Sequence, residues 1–95
     1  MAKLKTRRFD AAEYLKSEKA CAEFIQAAFE EGEPADIARA FGVVARARGM
    51  TKLAQETGLT REALYRMLSE DGNPTLGTLL KVSKAMGLQL KVSAV

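Results

Sequence analysis

Apolar side chains along most of this chain recur at helical spacing. From residue 18 to 31, Ala20, Cys21, Phe24, Ile25, Ala28 and Phe29 fall at i, i+1, i+4, i+5, i+8 and i+9, one stripe of an amphipathic helix. Ser17 stands before it as an N-cap and Gly32 behind it as a stop. Upstream, Asp10 can cap a shorter helix whose apolar side is Ala11, Ala12 and Leu15. Downstream, Pro34 suits the first turn of a helix running to about Arg48, with Ile37, Ala38, Phe41, Val44 and Ala45 on its buried side and Gly49 at its end. Near the C-terminus, Thr75 is placed to cap a helix in which Leu76, Leu79, Leu80, Val82 and Met86 are expected to close the core, with Gly87 ending it. The period then changes. Leu88, Leu90 and Val92 alternate with Gln89, Lys91 and Ser93, which predicts a short strand. A lone strand leaves its edges unpaired, and the chain offers no convincing second one. It is expected to pair with the same strand of a second subunit or with a strand of another protein; a frayed tail is the alternative.

The stretch that the other elements frame is residues 50–69, MTKLAQETGLTREALYRMLS. Thr51 reads as an N-cap, with Leu53 and Ala54 opening an apolar face behind it. Gly58 ends that helix, Leu59 is an apolar plug in the turn, and Thr60 caps a second helix. In the second helix Ala63, Leu64, Met67 and Leu68 share one stripe, which leaves Arg61, Glu62, Tyr65 and Arg66 on the outer face. A small alanine followed four residues later by glycine allows two helices a close approach and a sharp turn, so the pattern predicts a helix-turn-helix. Such a unit lays its second helix in the major groove of DNA. Arg61 can pair bidentately with guanine O6 and N7, a contact worth roughly 1–3 kcal/mol of discrimination. Arg66 reads a base or clamps a phosphate. Tyr65 offers a ring to a thymine methyl and a hydroxyl to phosphate. Glu62 either accepts from a cytosine N4 amine or holds Arg66 in an i,i+4 pair, and compensation of its charge near phosphate favours the pair.

Residues 49–88 resemble the helix-turn-helix of the Cro and phage lambda repressor superfamily. More narrowly, the TREALYRMLS helix, the following GNPTL and the KVSKAMGL helix end resemble the addiction-module antidote family, the HigA-like antitoxins. The resemblance implies an all-α, lambda-repressor-like fold of five to six helices, to which the alternating tail adds the C-terminal strand. Taken with the charge and periodicity of the rest, the chain is expected to divide into a basic arm (residues 1–9), acidic N-terminal helices (10–33), a helix-turn-helix core (34–88) and the strand (89–95), with residues 10–95 forming one compact domain. Thr60, Arg61, Glu62, Tyr65 and Arg66 make up the expected DNA-reading set, and the resemblance implies that Thr51, Lys52 and Asn73 match positions touching the DNA backbone. A helix N-terminus with a lysine would serve that contact physically, while Asn73 also suits a plain turn. The function implied is that of an antitoxin repressing its own operon and binding a small toxin of the RelE/HigB kind.

Charge adds a division along the chain. Residues 1–9 carry Lys3, Lys5, Arg7 and Arg8, whereas residues 10–36 hold eight acids against Lys16 and Lys19. Residues 37–95 hold nine bases against four acids, and the whole nets +3. Phosphate would attract the basic remainder and repel the acidic block, which is either a surface for a basic toxin or ordinary solvated helix. Arg46 and Arg48 either touch phosphate or complement the end of their helix dipole. The arm either follows a DNA groove or contacts a partner, or is plain disorder.

The remaining composition mostly excludes. Ninety-five residues make a small domain that gains from dimerising. The N-terminal bases lack the apolar core of a signal peptide, and no apolar run is long enough to span a membrane, so a cytoplasmic protein is expected. Cys21 is the sole cysteine, a packed small hydrophobe or else a reactive thiol. Without histidine, ligand-spaced cysteines or a phosphate-binding loop motif, no metal, no cofactor and no enzymatic activity are expected. The expected partners are double-stranded DNA at a palindromic operator, a second copy of the chain and a small toxin protein. Two alternatives stand beside this reading: a stand-alone phage-type repressor, or a protein-interaction module whose helix-turn-helix is only structural.

Overall fold

The computed structural model describes residues 11–95, with side chains described from residue 13. The basic arm and the Asp10 cap lie outside the described residues. A single helical turn, α1 (Ala11–Tyr14), precedes five helices: α2 (Glu18–Glu31), α3 (Pro34–Arg48), α4 (Met50–Thr57), α5 (Arg61–Met67) and α6 (Leu76–Ala85). Local signals set most boundaries. The hydroxyl oxygens of Ser17, Thr60 and Thr75 accept from the amides of Ala20, Ala63 and Thr78 at 3.0, 3.0 and 3.1 Å. Each satisfies one of the orphan donors of a first helical turn.

The hub is α3. Ala38, Ala40, Phe41, Gly42, Val44 and Ala45 are all buried, and the helix packs on α1, α2, α4 and α5. Phe41 is fully enclosed and meets Phe29 of α2 edge to face at 6.3 Å between ring centroids. Gly42 is required by proximity: a Cβ there would collide with the Leu68 carbonyl oxygen at the end of α5. Of the five residues expected from spacing Ile37 is only half-buried, while Ala40 and Gly42 extend the buried side, because several elements press on α3 rather than one. Cys21, likewise buried, sets its thiol 3.8 Å from the Leu15 carbonyl. Burial pushes that thiol's pKa up, with the Arg48 charge acting in the opposite direction. This is the packed hydrophobe of the two readings.

Three expectations change. Thr51 does not cap α4: Met50 already lies in the helix and is buried, and Gly49 takes the N-cap position without a side-chain cap. With φ +113, Gly49 reverses the chain in one residue, so α4 begins at once to bury Met50. Second, α6 does not turn all its leucines inward. Val82, Ser83 and Met86 are buried, Leu79 is half-buried, and Leu76 and Leu80 are 67% and 48% exposed. At 3.6 residues per turn only one stripe of the helix can meet the core, and residues 82, 83 and 86 occupy it. Third, the C-terminal strand is absent among the described residues. After α6, Gly87 at φ +77 and the Leu88 amide on the Ser83 carbonyl (2.8 Å) close the helix in a Schellman turn. Leu88 and Leu90 then lie half-buried against the core while Val92 is fully exposed. A strand forms only against another strand's backbone, and the described chain supplies none.

Candidate nucleic-acid interface

Two short helices, α4 and α5, are joined by Gly58, Leu59 and Thr60. Gly58 adopts the left-handed conformation (φ +76) and donates its amide to the Ala54 carbonyl at 3.0 Å. Leu59 is half-buried at the corner, as an apolar plug should be. The Thr57 hydroxyl holds the corner on both sides, donating to the Leu53 carbonyl (2.7 Å) and accepting from the Leu59 amide (3.3 Å). The bend is therefore fixed by the Gly58 backbone together with the Thr57 hydroxyl.

Helix α5 is divided as its sequence predicts. Leu64 and the capping Leu68 are buried, and Ala63 and Met67 are half-buried. Arg61, Glu62, Tyr65 and Arg66 are exposed together on the opposite face. Among the described residues the ion pairs are Arg39–Asp36 and Arg39–Glu70, so Glu62 and Arg66 are not in ion-pair contact. The side chains of Arg61, Glu62 and Arg66 make no hydrogen bond within the described chain either. Thr60 spends an acceptor on its cap, leaving its own proton to donate outward.

A residue absent from the expected reading set joins this face. Arg46, from the last turn of α3, stands over the Tyr65 ring at 5.7 Å from its centroid and donates to the Gly42 carbonyl at 3.4 Å. The cation steadies the tyrosine and places positive charge over its ring. Spacing within α3 gave no signal of this, because the contact crosses between helices. Arg48 goes elsewhere, donating to the Lys16 carbonyl at 3.0 Å and tying α3 to the segment before α2. Of the two arginines left open by the sequence, Arg46 sits with the outer face of α5 and Arg48 serves the scaffold.

Thr51 and Lys52 are exposed in the first turn of α4, next to the free amides of that turn. Lys52 also lines an open cleft of about 550 Å³ with Lys16, Arg48, Lys84, Glu18 and Glu56. Asn73 is exposed in the turn between α5 and α6. There the Gly72 amide donates to the Ser69 carbonyl (2.9 Å), and a Cβ on Gly72 would run into the Met67 carbonyl oxygen. That tight return fixes where Asn73 leaves α5. Among the described residues no three His, Cys, Asp or Glu side chains gather as a metal would require, and no helix is long and apolar enough to cross a membrane.

An uncharacterized protein of Haemophilus influenzae (strain Rd) is 43% identical over 84 residues, covering 88% of this chain and 87% of that relative. No solved structure matches significantly. A family model described as probable addiction module antidote protein matches residues 5–94, almost the whole length. On that match, the chain belongs to the family of probable addiction module antidote proteins.

Proposed function

We propose that this chain is the antitoxin of a toxin–antitoxin module and a DNA-binding repressor of its own operon, reading an operator through a lambda-repressor-like helix-turn-helix formed by α4 and α5. The observation that carries the DNA half is the outer face of α5. Among the described residues Arg61, Glu62 and Arg66 project from it without a side-chain partner, on a helix whose start and end are pinned by Thr60 and by the close approach of Gly42 to Leu68. Long charged side chains that a fold holds out in this way suit base edges and phosphates. Arg61, in the first turn, enters deepest and pairs with a guanine. Glu62 accepts from a cytosine N4 amine, and Arg66, Tyr65 and Arg46 line the neighbouring backbone. Thr51 and Lys52 present the α4 N-terminus to a phosphate, and Asn73 touches the backbone beyond α5. Two subunits would place their α5 helices in successive major grooves, about 34 Å apart.

The toxin half rests on the family. A RelE/HigB-like toxin is the expected partner. Its basic surface would suit the acidic N-terminal helices, where Glu23, Glu30 and Glu31 of α2 are exposed. The test compares wild type with Arg61→Ala on the DNA upstream of the gene and on a scrambled duplex, with pull-down of the neighbouring gene product alongside. Tight binding to one palindrome, lost in the variant together with its discrimination, supports the reading. Equal and weak binding by both proteins overturns the repressor half. A neighbouring product that neither binds nor is neutralised removes the antitoxin half.

A further inference from the structure

We infer that the cleft enclosed by the start of α2, the end of α3, α4 and the end of α6 binds a small phosphorylated sugar of the nucleoside diphosphate class. Its volume of about 550 Å³ lies within the roughly 300–1,000 Å³ of small-molecule sites. Buried Leu15, Leu53 and Met86 contribute its apolar lining. Around them stand four bases, Lys16, Arg48, Lys52 and Lys84, against two acids, Glu18 and Glu56. The bases come from four different segments: the turn before α2, then α3, α4 and α6. The fold, and no run of sequence, gathers them.

These charges do not neutralise one another. Among the described residues the ion pairs are those of Arg39, so none of the four bases is paired with Glu18 or Glu56. Arg48 donates one nitrogen to the Lys16 carbonyl and keeps its remaining donors. A concavity lined by like charges focuses its field and attracts the opposite charge. Four bases against two acids leave the cleft at +2, which suits a multiply charged anion, and phosphate oxygens can accept from several lysines and a guanidinium at once. The acids narrow the choice further. Glu18 lays its carboxylate against Gly87, so close that a Cβ there would collide with it. That position is the negative end of α6, where a carboxylate gains from a hydrogen-bond donor. Sugar hydroxyls are such donors, and Glu56 lines the same cleft for a second. Phosphates on the bases and hydroxyls on the acids together describe a nucleotide. Its binding would join the start of α2, which packs chiefly on α3, to α4 and α6, and so stabilise the folded chain. The assignment does not rest on the DNA reading. Lys52 is shared by both, so the tests use other side chains.

The experiment is isothermal titration calorimetry of the full chain with ADP and with inorganic pyrophosphate at constant ionic strength. Wild type is compared with Lys84→Glu and with Lys81→Glu, which changes the net charge equally on an exposed residue of α6 outside the cleft. Circular dichroism checks that each variant folds. The expected result is saturable, submillimolar binding of ADP, with pyrophosphate weaker. Lys84→Glu should weaken ADP about tenfold and Lys81→Glu less than about twofold. Should Lys84→Glu fail to fold, Lys16→Glu is expected to show the same loss. Absence of saturable binding by ADP overturns the proposal. An equal loss in Lys81→Glu does so too, because general charge attraction would then account for the binding. Pyrophosphate bound as tightly as ADP leaves the sugar no role and overturns the ligand class. A Lys84→Glu protein that binds ADP normally but loses the upstream DNA assigns these bases to the duplex backbone, which also overturns it.

Discussion

Helices α3 and α6 look alike in sequence, each a run rich in apolar residues closed by glycine, yet the fold uses them differently. The middle of α3 is enclosed on nearly every side, whereas α6 gives the core one stripe and holds two leucines out. Apolar content therefore does not report depth. What separates the two is the number of neighbours: α3 meets α1, α2, α4 and α5, while α6 leans chiefly on α4. A helix pressed from several directions needs small residues at its crossings, and α3 supplies Ala38, Ala40, Gly42 and Ala45. A helix covered on one side leaves the leucines of its other face in solvent.

Substitutions can break this contrast, beginning with the largest effect. Phe41→Ala empties the centre of the hub and should cost about 4 kcal/mol in urea unfolding, enough to leave so small a domain barely folded. Gly42→Ala forces a methyl into the Leu68 carbonyl and should cost about 2–3 kcal/mol, lowering the melting temperature by more than about 10 °C. Thr60→Ala removes the cap of α5 and should cost about 1 kcal/mol, with DNA affinity falling further because the bend loosens. Leu76→Ser, by contrast, should change stability by less than about 0.5 kcal/mol, although it deletes a leucine from a helix. The smallest effect carries the opposite sign. Ser83 buries a hydroxyl with no hydrogen-bond partner among the described residues, so Ser83→Ala should be neutral or slightly stabilising in the same unfolding assay. A costly Leu76→Ser or a harmless Gly42→Ala would erase the distinction between the two helices.

The sequence made legible what is decided within a few residues. Ser17, Thr60 and Thr75 cap helices because each hydroxyl reaches an amide three residues on, and Gly32, Gly49, Gly58 and Gly87 adopt positive φ where helices end. The buried and exposed sides of α5 followed from its period alone. Hidden was whatever depends on which element lies opposite. Thr51 looks like a cap in isolation, but the demand to bury Met50 moved the helix start to Gly49. The leucines of α6 are chemically equivalent on paper, and only the placement of α4 decides which face inward. The alternation in the last residues is strand-like, yet a strand is a property of two backbones. At the candidate site the α5 face was readable, while Arg46 over Tyr65 joins residues nineteen apart in sequence and could be seen only in the fold.

The most direct measurement is the affinity of the full chain for its own upstream DNA across a series of salt concentrations, with Arg61→Ala in parallel. Each phosphate contact should add about −0.9 to the log–log slope, so a reader built from Lys52, Arg66, Arg46 and the α4 N-terminus should show a steep wild-type line. Arg61→Ala should lie roughly 1–3 kcal/mol weaker on the cognate site and unchanged on scrambled DNA. A shallow slope, shared by both proteins and both sequences, would show that the outer face of α5 does not read DNA.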